Sequence, residues 1–203
     1  MIATAMDAET VEQSDLRSNP ATLGEAFRYF VTQASPRIIT VLAVVSVAAK
    51  VWLGGWAWRD LRVAAVILVA WPFVEWLIHV FILHAKPTGP TKLIFHSKVA
   101  VKHRAHHQRP FNLPILFFPA HTFITMVPAL ALIFWVALPL PHAATAMATC
   151  MVMLLRYEWV HFLTHTRYVP KGRWYRTMWR NHRLHHCKNE HYWMGVRTTL
   201  GDK

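Results

Sequence analysis

Four long apolar stretches restrict this chain more than any other feature. They run over about Ile38–Trp58, Leu61–His84, Leu113–Leu138 and His142–His165. A helix needs roughly 20 residues to cross about 30 Å of hydrocarbon, and each stretch is close to that length. The expected fold class is therefore all-α, an integral membrane protein with four transmembrane helices. The linkers within each pair, around Trp58–Leu61 and Pro139–Pro141, are very short, which predicts two helical hairpins. A soluble core also contains apolar runs, but four of this length argue against one. Only 16% of the residues are charged, against roughly 25% in soluble domains.

The charges that remain are strongly asymmetric. The net charge is +12 with histidine neutral, which suits either nucleic acid or an anionic membrane surface. No nucleic-acid motif is visible and the aromatics sit in apolar runs, so no nucleic-acid partner is expected. Lys86, Lys92, Lys98, Lys102, Arg104 and Arg109 lie between the second and third stretches. Nine more basic residues, from Arg167 to Lys203, follow the fourth. The opposite side has Lys50, Arg59 and Arg62 near its boundary. The positive-inside rule then places both termini and the middle loop in the cytosol.

Residues 1–20 form a polar, acidic N-terminus without the features of a secretory signal. It is expected to be retained and flexible. Residues 21–203 are read as a single membrane-embedded domain. Its Thr22–Val31 segment has the pattern of a short amphipathic helix lying on the cytosolic surface. Ala85–Asn112 and Thr166–Lys203 show no strand alternation and are expected to form a helical cytosolic cap. Cys150 and Cys187 read as free thiols.

Histidine is the second constraint. Ten of the fourteen fall into four clusters: His79 and His84; His103, His106 and His107; His161 and His165; His182, His185 and His186. At about 100° per residue, positions i, i+3 and i+4 share one helical face, so an H-x2-HH helix can aim three nitrogens at one small volume. H-x3-H stacks two imidazoles one turn apart. H-x4-H spreads them by about 140° on an α-helix. His84 is thus expected where the second helix ends, or else the pair serves two centres. His79 lies 18 residues after Leu61, about 27 Å along a helix, and His161 and His165 end the fourth stretch on the same side. All four clusters can meet at the cytosolic boundary.

The two halves echo one another. "EWLIHVFILH" followed by "HRAHH" matches "EWVHFLTH" followed by "HRLHH". The natural reading is a roughly two-fold site for two metal ions, about five imidazoles per half, with ligands from both halves free to mix. Histidine at membrane depth is costly and usually functional. Imidazole suits iron, zinc, copper or nickel, and spacing does not choose among them. Glu75 and Glu158 stand four and three residues before His79 and His161. Each either accepts a hydrogen bond from a ligand's second nitrogen or pairs with a nearby arginine such as Arg156. His191 is a further candidate for a supporting role, His96 and His121 lie close by, and His142 is expected on the far side.

The order H-x4-H, H-x2-HH, H-x3-H, H-x2-HH resembles the fatty acid hydroxylase superfamily, also called the sterol desaturase family. The tail "NHRLHHCKNEHYWMGVRTTLGD" is similar to that of its bacterial members and of fatty acid 2-hydroxylases. The resemblance covers roughly Trp71 to Asp202. It implies a dimetal centre held by the ten clustered histidines, two iron ions in the working enzyme with zinc able to take their place on purification, and O2 as co-substrate. It also implies hydroxylation of a lipid C–H bond, most simply on a fatty acyl chain. A fused cytochrome b5 domain does not fit in 203 residues. Electrons are therefore expected from a separate ferredoxin or cytochrome b5-like donor with its reductase, for which the basic surface is suited. A bacterial inner membrane is favoured over the endoplasmic reticulum. An unactivated C–H bond has no acidic proton and no leaving group, so acid–base chemistry cannot break it. Trp71, Phe73, Trp76, Phe117, Phe118, Phe123, Trp159 and Phe162 are candidates to line an apolar channel, without any one singled out.

Rivals within the same chemistry are carotenoid or sterol hydroxylases and desaturases. A metal transporter is the rival of another class. It would need ionisable residues along a path near the bilayer midplane, and the outer halves of these stretches offer almost none.

Overall fold

The computed structural model describes residues 13–196, and among them every regular element is helical. The first twelve residues of the expected tail, together with Arg197 and Lys203, lie outside the described residues. In chain order the main helices are α1 (Leu23–Phe30), α2 (Ala34–Leu53), α3 (Trp58–Ile78), α4 (Lys98–Gln108), α5 (Thr122–Ala137), α6 (Leu140–Thr164) and α7 (Arg173–Cys187). A π-helical turn, His79–Leu83, continues α3 directly.

Among the described residues, two helices are long and apolar enough to cross a membrane: α2, and α3 with its π-helical extension, Trp58–Leu83. Both carry exposed apolar side chains, including Val41, Val45 and Val51 on α2 and Val66, Val69 and Phe73 on α3. A contiguous face of this kind marks contact with lipid or another apolar partner. Of the third expected stretch, Leu113–Leu138, only α5 is a continuous α-helix, an apolar one of 16 residues, short of the roughly 20 a crossing needs. Its exposed Ile124, Ile133 and Val136 continue the same kind of surface.

The fourth stretch became α6, the centre of the fold. Its 25 residues extend about 37 Å, and α1, α2, α3, α5 and α7 all pack on it. Ala143, Ala146 and Cys150 bring neighbouring helices close, while Met151, Phe162 and Leu163 fill the core. The expectation of a first hairpin is corrected here. Although a four-residue turn joins α2 to α3, both pack on α6 rather than mainly on each other. That turn depends on Gly54 and Gly55, each at φ +63°, a region that L-residues with side chains rarely adopt. A Cβ on Gly55 would stand 3.4 Å from Pro141, so the two short turns lie side by side.

Local signals place the remaining pieces. Thr22 caps α1 by accepting from the Glu25 amide, and Glu25 accepts in return from the amide of Thr22, a capping box. Phe30 of α1 packs with Phe117, Phe162 and Trp159 beneath the cap. Ser97 caps α4. The packed body begins before residue 21, because buried Asn19 donates to the carbonyls of Phe111 and His165.

Candidate metal centre

Ten imidazoles meet at one end of the bundle. They form two groups, His79, His84, His103, His107 and His185 in the first, and His106, His161, His165, His182 and His186 in the second. Within each group the candidate ligand nitrogens all lie within 4.8 Å of one another. The groups adjoin: the rings of His107 and His186 have centroids 4.1 Å apart.

The elements explain how each ring gets there. In the π-helical turn the His84 amide donates to the His79 carbonyl at 2.9 Å, an i→i+5 bond. This stacks residues five apart, so H-x4-H serves one group and not two, and His84 stands where the helix ends. Each H-x2-HH helix straddles both groups. On α4, His103 and His107 face the first while His106 faces the second; on α7, His182 and His186 face the second while His185 faces the first. His106 and His185 occupy equivalent positions in the two halves, so the exchange preserves the expected two-fold relation.

The contacts within each group do not form an ordinary hydrogen-bond network. In the first, Nε2 of His84 lies 3.2 Å from that of His185 and 3.1 Å from that of His103, and His107 follows at 3.2 Å from His103. In the second, His106, His186, His182 and His165 make the same chain at 3.1 Å per step. The Nε2 atoms of His79 and His161 are buried with no hydrogen-bond partner. One ring nitrogen offers either a proton or a lone pair, so it cannot satisfy two like neighbours at once. Nitrogens sharing a first-row cation at about 2.0–2.1 Å lie about 3 Å apart, which is the spacing seen. The donor set therefore fits two transition-metal ions held by neutral imidazole.

Burial keeps these rings neutral. It pushes His103, His106, His182 and His186 well below the usual imidazole value, and the neighbouring rings add to the shift. His107 is pulled down to about 2 by burial and by His185 and His84. His185 is lowered to about 4, mainly by burial. Neutral imidazole is the form that binds metal.

A profile of the fatty acid hydroxylase family matches residues 64–203, well over half of the chain. The chain belongs to the fatty acid hydroxylase family. It is similar to the fatty acid 2-hydroxylase of Homo sapiens, 26% identical over 132 residues, which are 65% of this chain and 35% of that protein. The Rattus norvegicus protein of the same name is 27% identical over 135 residues, 66% of this chain and 36% of that protein. The Mus musculus one is 26% identical over 135 residues, with the same coverage. The chain thus spans about a third of the length of these curated relatives. No solved structure matches it.

The ten clustered histidines that carry the resemblance to the fatty acid hydroxylase family all lie at this end of the molecule, but two expected supporting contacts are corrected. Glu75 does not orient His79: the Nδ1–H of His79 donates to the Met194 carbonyl. Glu158 bonds neither His161 nor Arg156. Its Oε1 accepts from Ser35 Oγ at 2.6 Å and from the Phe118 amide at 2.9 Å, because its side chain turns back towards α2 and the loop before α5. His191 is exposed and lines the large cavity beside His84, His107 and His186, while Nδ1 of His185 donates to the Tyr192 carbonyl at 2.7 Å. Sequence reasoning missed these carbonyls, since every residue carries one and none leaves a signature.

Two openings reach the histidines. A cavity of about 970 Å3 borders His84, His107 and His186, with Trp76, Phe95 and Trp193 among its aromatic walls and Arg104 among its basic ones. A pocket of about 30 Å3 touches His103, His106 and His161 and is otherwise lined largely by apolar groups, including Phe117 and Phe118. Of the other channel candidates, Phe73 stacks on Trp76, and Phe123, Trp159 and Phe162 are packing residues of the core.

Proposed function

We propose that this protein is a membrane-bound oxygenase that uses O2 and electrons from a separate donor to hydroxylate a lipid C–H bond, with a fatty acyl chain as the substrate. The observation that carries the reading is the pair of five-nitrogen groups, buried together with no carboxylate among the converging atoms. His79, His84, His103, His107 and His185 would hold one ion, and His106, His161, His165, His182 and His186 the other. Iron is the proposed native metal, with zinc able to occupy the same nitrogens. Such a pair, when bound, supplies the oxidising power towards an unactivated C–H bond that no side chain of this protein has.

The chain's own residues do the rest. Packed helices exclude water from the second group, where His165 and His182 are almost wholly buried. The larger cavity brings apolar and basic surface to the edge of both groups, which suits an amphiphile with its polar head towards the cytosol. The name of the relatives, fatty acid 2-hydroxylase, supports attack at the second carbon. Four spans, a cytosolic metal end and a bacterial inner membrane complete the proposal. Basic residues at this end favour an acidic one-electron carrier as donor. The polar groups at the far end are paired among themselves, which weighs against an ion path through the bundle.

Lipid extracts from cells expressing the wild type or His106→Ala, grown with and without air, provide the test. A hydroxylated lipid is expected only in aerobic wild-type cells. An identical lipid profile in all four samples would overturn the oxygenase reading. Feeding fatty acid, sterol and carotenoid separately decides among substrates.

A further inference from the structure

We infer that the segment Glu190–Met194 is a backbone clasp that orients the first five-histidine group and makes it the tighter of the two metal sites. The inference rests on the metal-centre reading above. His185 comes from α7 and His79 from the π-helical turn, yet their Nδ1 groups donate to carbonyls only two residues apart, those of Tyr192 and Met194. Glu190 places a carboxylate oxygen 3.6 Å from Nδ1 of His107, a third member of the same group.

Between the two carbonyls stands Trp193 at φ +55°, the one non-glycine residue with positive φ among the described residues. A bulky side chain is a marked outlier there, and such a conformation persists only where its surroundings over-determine it. Here the surroundings are two buried imidazoles that each require an acceptor. The indole itself lines the large cavity.

The second group is supported differently. Nδ1 of His106, His165, His182 and His186 makes no hydrogen bond among the described residues. An N–H···O=C bond on the far side of a ligating imidazole fixes its tautomer and orientation and raises its basicity, and losing one costs about 10–100-fold in metal affinity. The two ions are therefore held unequally.

Trp193 is a positioning residue, so the test reads metal and not turnover. The full chain in detergent micelles is stripped, reloaded with zinc(II) and titrated with a competing chelator, and bound metal per chain is measured. Wild type is expected to release zinc in two steps at least about 10-fold apart in chelator concentration. Trp193→Gly, which tolerates positive φ, should keep the tight step. Trp193→Pro, locked near φ −65°, should lose it while the weaker step remains. His182→Ala should abolish the weaker step and leave the tight one, which assigns the sites even where the proline variant fails to fold. Release of both ions at one concentration, survival of the tight step in folded Trp193→Pro, or its loss in His182→Ala would each overturn the clasp. Wild type that binds no zinc would sink the metal-centre reading, a separate result.

Discussion

The two ends of the helix bundle both bury polar groups, and they do so in opposite ways. At the far end Asp60 gathers complementary partners. Lys50 Nζ lies 2.8 Å from Oδ1, the His142 Nδ1–H and the Thr145 hydroxyl donate to the same oxygen, and the Ala57 amide donates to Oδ2. A cation, an anion and their hydrogen bonds close on themselves across α2, α3 and α6. At the other end ten copies of one side chain turn nitrogens towards each other, with no carboxylate among the converging atoms of the described residues and no way to share their protons. A buried polar group without a partner is costly. The first cluster is complete as folded, whereas the second is complementary only to something brought in from outside. The same α6 serves both ends, through His142 and Thr145 at one and His161 and His165 at the other.

The sharpest way to break this contrast is to remove one member from each end. His185→Ala should cut hydroxylated product by at least about 100-fold and remove one metal equivalent, that of the first group, although His185 sits on α7 beside two members of the second. Metal analysis of the purified variant checks this; loss of neither or of both ions would mean that the groups are not the separate units seen here. At the far end Asp60→Ala leaves Lys50 buried without its anion, and the expected loss is about 3–5 kcal/mol. Denaturant unfolding in micelles measures it. Metal content in the folded fraction should equal that of wild type, and a parallel fall would show that the ends are coupled.

Chelation that removes one ion should have a smaller effect and confine it to one end. An ion present at about 100 times its dissociation constant contributes about 2.7 kcal/mol. Its removal should speed hydrogen exchange in α4 and α7 while the turn around Gly54 and Gly55 exchanges as before. The smallest change is expected from replacing the whole far cluster with apolar residues, Lys50→Met, Asp60→Leu and His142→Leu together. Buried ion pairs exchanged for well-packed hydrophobes are often nearly neutral, so stability should move by no more than about 1–2 kcal/mol. A large loss would give the far cluster a role beyond closing its own charges.

Much of the histidine end was legible in the residues, because imidazole is rare in apolar segments and its spacing follows helical geometry. The ten clustered histidines are the ten that converge. Which five go together was not legible. On α4 and α7 the i, i+3 and i+4 positions share a face, and only the packing of one helix against the other decides that the i+3 residue turns to the opposite group. Glu75 and Glu158 were reasonable second partners by spacing, yet spacing carries no information about a loop arriving from elsewhere, such as the Tyr192–Met194 segment. The Asp60 cluster was invisible for the same reason. Lys50 and Asp60 flank one short turn, but His142 and Thr145 reach Asp60 from α6, more than 80 residues on, and His142 alone gave no sign of a partner.

From the sequence alone came the all-helical character, the two apolar helices of membrane-spanning length and the ten histidines that converge, all properties of local composition and period. Tertiary structure decided that α6 lies at the centre of the bundle, that histidines are exchanged between the halves, and that backbone carbonyls rather than carboxylates orient His79 and His185. Those depend on contacts between residues distant in the chain, whose energies arise only once the helices have packed.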